Sequence, residues 1–585
     1  MSEFKFIYES KTFSQMITDG ELLSQINSGS GPQYLIVCET ITDDLAGWYI
    51  FDFGSEIIFL NNHSGLVVNP GANLQIRDSD LHGCQKLWDR IRVKGGGRLD
   101  ITPGSLVEDA VTAVHLEPNS TFLATYSNFN GNYISVYAGG AGTPNQHSIT
   151  ATISGNQFIG QKALIENYVP NPQLPSCFYG KPMYGIVAQN VRHMTVGLNG
   201  GGNLFRDFDA SWSCSVFNPA VPTGIHGQNS SLTVVNNNFR NIANGSGGRG
   251  VNFFVTPGAA STLNFTGLGK NGPLTVDNVQ TGIYGLGNMT VSASRFNNLD
   301  WGIYLTGNPA PYTVTIQGNA FENVSDHTVF ADQISPIKRL VVQDNDFNDN
   351  DLSSGGITAF PRSGVHIRSI TPGQQNSWIF NNTFLNSPKA GAFTFGNRGV
   401  WIRNLNGSLI EQNQFTDNFG STAQPYEGIS VFNASTGIWS NNFTGAGNWG
   451  GHPSSATQVQ ESPSCWLNCN WADQTRAGWE FQGVNSDAAK LEKNIANAHE
   501  KGLLMRFDAV IGNQNNKYNR WVGSASNVEA QFEGRNPLDF NDLFFVQQST
   551  FRMHTPNTTT DFWPDPRLFG AIPDPSAWFI TGQPA

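Results

Sequence analysis

Charge is scarce in this chain. Only 13% of its 585 residues are Asp, Glu, Lys or Arg, too few to solvate long exposed helices, while 40 Phe make it too aromatic for disorder. Positive charge is the scarcer sign: the formal balance is -12 and no basic run is visible, which argues against nucleic acid as a partner. No apolar stretch approaches the roughly 18 residues of a membrane span. The opening "MSEFKFIYESKTFSQ" lacks the basic and apolar regions of a secretory signal. The chain is therefore either cytoplasmic or one whose signal lies outside this stretch, and the architecture argued below makes the second the expectation. Cysteine is sparse too. Cys38, Cys84, Cys177 and Cys214 are scattered, and Cys465 and Cys469 sit close together in "PSCWLNC" with no His within ten residues. That argues against a zinc site of ordinary spacing and leaves disulfides and buried thiols equally open.

What the chain has instead is repetition. Asn-x-Phe occurs at Asn156/Phe158, Asn203/Phe205, Asn237/Phe239, Asn319/Phe321, Asn345/Phe347, Asn382/Phe384, Asn413/Phe415 and Asn441/Phe443. Ser127/Phe129, Asp277/Val279, Ser294/Phe296 and Lys493/Ile495 read as variants of it. From Phe296 to Phe321 to Phe347 the spacing is 25 and then 26 residues. Within a repeat, "MTVSASRF" (Met289–Phe296) and "YTVTIQGNAF" (Tyr312–Phe321) alternate apolar and polar residues with the period of a strand. A strand-turn-strand unit of this length cannot bury its apolar face alone, so it stacks on its neighbours. The predicted fold is all-β, a parallel β-solenoid with Phe columns inside and Asn aligned at one turn. "SDAAKLEKNIANAHEKGLLMRF" (Ser486–Phe507) has helical composition but keeps the repeat, with Ile495 and Gly502 in the places of Phe296 and Gly302, and reads as another coil. The expected organisation is an N-terminal cap over residues 1–55, the solenoid over 56–520, and a non-repeat capping or interaction segment over 521–585.

Coil length and Asn-x-Phe turns resemble the right-handed parallel β-helix superfamily of polysaccharide lyases and hydrolases, phage tailspikes and bacterial surface proteins. The resemblance covers roughly residues 55–520. Cys84, Trp88, Gly96, Gly97, Leu99, Glu108, Asp109 and Ala110, within Leu81–Tyr137, are similar to a pattern in long secreted β-helix proteins of gliding, predatory and biofilm-forming marine bacteria. "IGNQNNKYNRW" near Ile511 resembles their terminal region. That likeness implies an extracellular or cell-surface location and a structural or adhesive role.

Loop length varies at one place in the repeat, near Gly160–Tyr184, Ile242–Arg249, Asn386–Arg398 and Phe419–Glu427, and insertions on one face often mark the binding face. In the strand after those loops, alternation turns His226, Asn252, Tyr284, Tyr304, His366, Trp401 and Ser430 outward. His226, Tyr284, Tyr304, His366 and Trp401 are the candidate ligand-binding residues, as a stripe that either stacks on sugar rings or packs under a loop or a neighbouring subunit. The cluster "QDNDFNDND" offers Asp344 and Asp346 as calcium candidates, although Asx residues are also what such turns require; no other cofactor is implied. No complete catalytic set emerges. "IHGQ" at Ile225–Gln228 is a single fragment of the β-helix polygalacturonase pattern, and Asp326 beside His327 would point to the opposite face of its strand. The expected function is an extracellular structural or adhesive β-helix presenting a face to a glycan or protein partner. The alternative is a polysaccharide lyase or glycoside hydrolase on the same scaffold. Self-association into a homo-oligomer is open.

Overall fold

The computed structural model describes residues 4–24, 32–166, 168–169, 178–209, 212–213, 221–243, 247–307, 312–333, 339–349, 363–374, 376–386, 397–417, 426–445, 447, 455–462, 464–485, 489–510, 514–522, 528–533, 544–546 and 579–580. The chain divides into two compact units, Met1–Leu299 and Asp300–Ala585. Each is a right-handed parallel β-helix, its coils joined by parallel pairing in register. In the first unit, Thr150–Ser154, Gln157–Ile159 and Tyr184–Gln189 pair with Met194–Val196, Leu204–Arg206 and Thr223–Gln228 of the following coil. In the second, Thr313–Gln317 pairs with Arg339–Gln343 and that strand with Asn376–Phe380.

The Asn-x-Phe repeat builds both the corner and the core. Asn382 shows how the corner works. Its Oδ1 accepts from the backbone N–H of Asn345 at 3.0 Å and from the Asn345 Nδ2 at 2.9 Å. Its own Nδ2 donates to the Asn413 Oδ1 at 2.9 Å and back to the Val342 carbonyl at 2.8 Å. The same exchange links Asn156 to Asn203 to Asn237 in the first unit. Every buried amide in the row is thereby satisfied along the solenoid axis, which is what burial of so polar a group demands. The residue just before the ladder Asn, not the Asn itself, takes the left-handed conformation: φ is 56° at Asn236, 51° at Asn381 and 54° at Ser440. Two residues beyond the inward residue, Val276 or Phe296, a second Asn corner is left-handed, as at Asn278 and Asn298, and bonds along the outside.

Phe129, Phe158, Phe205 and Phe239 stack with centroids 5.0, 4.6 and 4.9 Å apart. Phe321, Phe347, Phe384, Phe415 and Phe443 do the same in the second unit at 5.3, 4.6, 4.7 and 4.7 Å. The rings, together with the backbone carbonyls of the next coil, explain the Gly that opens the next strand. A Cβ on Gly399 would lie 2.6 Å from the Phe415 ring, and one on Gly428 2.5 Å from that of Phe443.

Two of the predicted variants are displaced. Val276, not Val279, pairs with Phe239. Asn494, not Lys493, continues the ladder by accepting from Asn470, so Ala496 rather than Ile495 points inward, in line with Ala472 and Phe443. There the volume of the missing Phe is taken by Trp479, fully buried and edge-on to Phe443. The segment read as a coil against its helical composition is indeed strand, at Lys490–Glu492, Ile495–Asn497 and Lys501–Val510.

The one helix among the described residues, Phe13–Thr18, starts with a Thr12/Gln15 capping box. It buries Phe13 edge-on against Tyr49 and Phe51. Parallel pairing nevertheless reaches into the first 55 residues, where Lys5–Ile7 joins Tyr34–Val37. Near the other end Val528–Glu533 pairs with Lys501–Val510, and most of residues 534–585 lie outside the described set. Cys38, Cys84, Cys465 and Cys469 are free thiols, and burial pushes that of Cys465 up to about 12.

Candidate functional site

The predicted stripe exists in register within each unit. In the first, His226 pairs with Asn252 and Asn252 with Tyr284. In the second, Phe330 pairs with His366, His366 with Trp401 and Trp401 with Ser430, while Tyr304 lies edge-on to Phe330 at 5.1 Å. Full exposure of the stripe is not found. His366 is 2% exposed, Ser430 4% and Asn252 6%, and His226, Tyr284, Tyr304 and Trp401 are half-buried. Coils stack only about 4.8 Å apart, so aromatic side chains at equal positions cover one another and long neighbours fold across them.

Those neighbours are arginines. In the first unit the Arg249 guanidinium sits 3.5 Å over the Tyr284 ring and donates to the Asn252 Oδ1 at 3.1 Å; the Asn252 Nδ2 lies 2.9 Å from the His226 Nδ1. Burial, and then Arg249, push the His226 pKa down to about 4. In the second unit Trp401 stacks on His366 at 4.0 Å, with Arg398 4.2 Å and Arg403 5.0 Å over its indole. Arg368 makes a two-pronged bond to Asp332 at 2.9 and 2.7 Å, and Arg398 pairs with Glu427. Trp301 completes the cluster, 4.9 Å from Tyr304 and 5.3 Å from His327.

His327 and His366 lie beneath this layer. The His366 Nδ1 is 3.2 Å from the His327 Nε2, and the His327 Nδ1 is 2.8 Å from the Ser363 Oγ. The His366 Nε2 has no partner among the described residues. Burial holds both rings neutral: His327 is pushed down to about 3 and His366 well below the ordinary range, with Arg368 and Arg398 adding to each shift. Asp326 and His327, expected on opposite faces, approach to 3.7 Å, between the Asp326 Oδ1 and the His327 Nε2. Beside them a cavity of about 40 Å³ is lined by Asp326, Thr328, Ser363, Arg398 and Tyr426 at its polar side and by the Phe column at the other.

Sequence reasoning missed Trp301, Phe330 and every arginine. A signal was present: "HIRS" at His366–Ser369 and "WIRN" at Trp401–Asn404 place Arg two residues after the stripe residue, on the same face. Among the described residues the calcium candidates do not converge with further acids. Asp344 occupies a left-handed turn and accepts from the Asn381 Nδ2 at 2.7 Å, and among the described residues no group of three or more His, Cys, Asp or Glu is arranged to hold a metal. Most of the long insertions lie outside the described residues. The part of Gly160–Tyr184 that is described docks Leu164 and Met183 onto Leu87 and Tyr133, with Lys162 bonded to Glu108 and Asp109 at 3.0 Å each. The Glu-Asp-Ala step thus clamps an insertion.

Residues 270–449 match the family model described as periplasmic copper-binding protein (NosD), 180 of the 585 residues. That stretch holds two His, one Met and no Cys, and its two His, His327 and His366, bond each other, so the residues present do not form a copper site. No curated protein matches the chain. Among solved structures, the periplasmic alginate epimerase AlgG is similar at 11% identity over 74% of this chain and 75% of its own, with a TM-score of 0.27. Tailspike protein 3 of bacteriophage CBA120 is similar at 11% identity over 93% and 65%, with a TM-score of 0.19. PfbA, a surface adhesin of Streptococcus pneumoniae, is similar at 10% identity over 91% of each chain, with a TM-score of 0.13. At these scores none of the three bears on what this chain does.

Proposed function

We propose that this chain is an extracellular or cell-surface β-helix that binds glycan on the outer face of its second unit. One observation carries the reading: the half-buried Trp401 indole, fixed from beneath by His366 and flanked by Arg398 and Arg403, continues a row of rings through Phe330 and Tyr304. An aromatic ring held rigidly among polar donors offers a sugar both its apolar face and hydrogen bonds to its substituents. The backbone beneath is pinned by parallel pairing, so little ordering accompanies binding. The test is a panel of bacterial, algal and animal glycans presented to the whole chain and to Trp401→Ala. The expected result is retention of at least one glycan by the native chain and a loss of tenfold or more in affinity for the variant, measured at a temperature where its circular dichroism spectrum shows it folded. A panel with no binder, or a variant that binds as well as the parent, sinks the reading.

A second reading, turnover of the bound glycan, rests on Asp326, Arg398 and Tyr426, which line one small, mostly apolar cavity of the second unit together. It requires that incubation with a bound glycan release shorter or unsaturated products, and that Asp326→Asn abolish release while binding persists.

A further inference from the structure

Given glycan binding at this face, we infer that the ligand is acidic, a sugar chain bearing carboxylate or sulfate groups, and that Arg403 is the residue that receives the anion. The charges on the face do not balance. Arg368 is matched by Asp332 and Arg398 by Glu427. Arg403 has no carboxylate within ion-pair distance among the described residues, only the rings of Trp401 and Phe432, at 5.0 and 5.4 Å. Register makes the gap specific. Asp332, Arg368, Arg403 and Phe432 occupy one outward column on four successive coils. Arg368 finds its acid on the coil before it; Arg403 meets another arginine on one side and a phenyl ring on the other. In a chain of net charge -12, an arginine left unmatched beside two others does not follow from composition.

The first unit, taken alone, carries the same chemistry. Arg249 lies over Tyr284, is bonded to Asn252, and has no carboxylate within ion-pair distance among the described residues. A planar guanidinium that is only partly hydrated and braced against a ring is suited to grip a carboxylate or sulfate through paired hydrogen bonds. The ring beside it would stack on the sugar that bears the group.

The experiment uses the whole chain and four polymers: polygalacturonate, its methyl ester, dextran sulfate and dextran. Affinities are measured for the native chain, Arg403→Gln, Arg403→Lys and Trp401→Ala, with far-ultraviolet circular dichroism and thermal melts as controls for folding. The expected pattern is binding of one or both acidic polymers and at least tenfold weaker binding of their neutral counterparts. Arg403→Gln should lose tenfold or more on the acidic polymer and Arg403→Lys should recover part of it, the ammonium keeping the charge without the fork. Preference for polygalacturonate identifies a carboxylate ligand, and preference for dextran sulfate a sulfate ester. Equal binding of acidic and neutral polymers, or an Arg403→Gln variant with native affinity for the acidic one, overturns the inference while leaving glycan binding through Trp401 intact. If all four polymers and the wider glycan panel fail to bind, the reading beneath it fails as well.

Discussion

His366 is bonded to His327, stacked on Trp401 and 2% exposed. A proton added to either ring would have to be carried without water and within reach of Arg368 and Arg398. Both histidines are therefore neutral when folded, with pKa values below the unfolded one. The sign of the linkage follows. Below an unfolded pKa near 6.5 the unfolded chain takes up protons that the folded one does not, so stability falls as pH drops from about 6.5 toward 3. Each histidine contributes up to roughly 1.4 kcal/mol per pH unit across that window. Replacing His366 by Phe keeps a ring against Trp401 and removes one of these groups. Urea unfolding followed between pH 7 and 4.5 should show a shallower loss of stability in His366→Phe than in the native chain. An identical slope would mean that water or an unseen anion already reaches the site.

At the scale of the coil, the sequence carried most of the fold, because one chemical device repeats. An amide that must be satisfied at a buried corner, an inward ring two residues later and a Gly beneath that ring recur together, and each leaves its letter in the chain. Legibility failed where the device was split between coils. Asn470 and Asn494 continue the ladder, but the inward ring is gone, replaced by Ala472 and Ala496 and by Trp479 reaching in from another strand. Without the Phe, a pattern of period two offers two registers and the apolar Ile495 draws the wrong one. Which outward residues are buried was also beyond alternation, since it depends on the arginines of the same coil lying across them.

The ladder and the column should differ in cost. Phe384→Ala empties a site between two stacked rings and should destabilise by roughly 3–5 kcal/mol. Asn382→Ala strands the N–H of Asn345 and the Val342 carbonyl, and should cost roughly 1–3 kcal/mol. Gly399→Ala, adding only a methyl, should still be destabilising because that methyl would lie 2.6 Å from both the Gly428 carbonyl oxygen and the Phe415 ring. Chemical denaturation of the three variants checks the order. A Gly399→Ala variant as stable as the parent would show that both the Phe column and the neighbouring coil's backbone can shift to admit a methyl.

For the molecule as a whole, net charge and local charge oppose each other. A balance of -12 repels an approaching polyanion over distances set by screening, roughly 10 Å at 0.1 M salt. The arginines act only at contact. If Arg403 receives an acidic glycan, the two effects separate in the kinetics. Raising salt from about 0.02 to 0.15 M screens the long-range repulsion, so the association rate should rise rather than fall, the reverse of ordinary steering. The same salt weakens the contact pairs, so the dissociation rate should rise as well. Arg403→Gln makes the balance more negative by one and removes the contact pair. It should therefore keep the salt-accelerated association, start from a faster dissociation, and lose most of the salt dependence of that step. Surface-based kinetics with immobilised acidic glycan measure both rates directly. An association rate that falls with salt would mean that the field at the face is positive despite the acidic chain, and that steering extends well beyond Arg403.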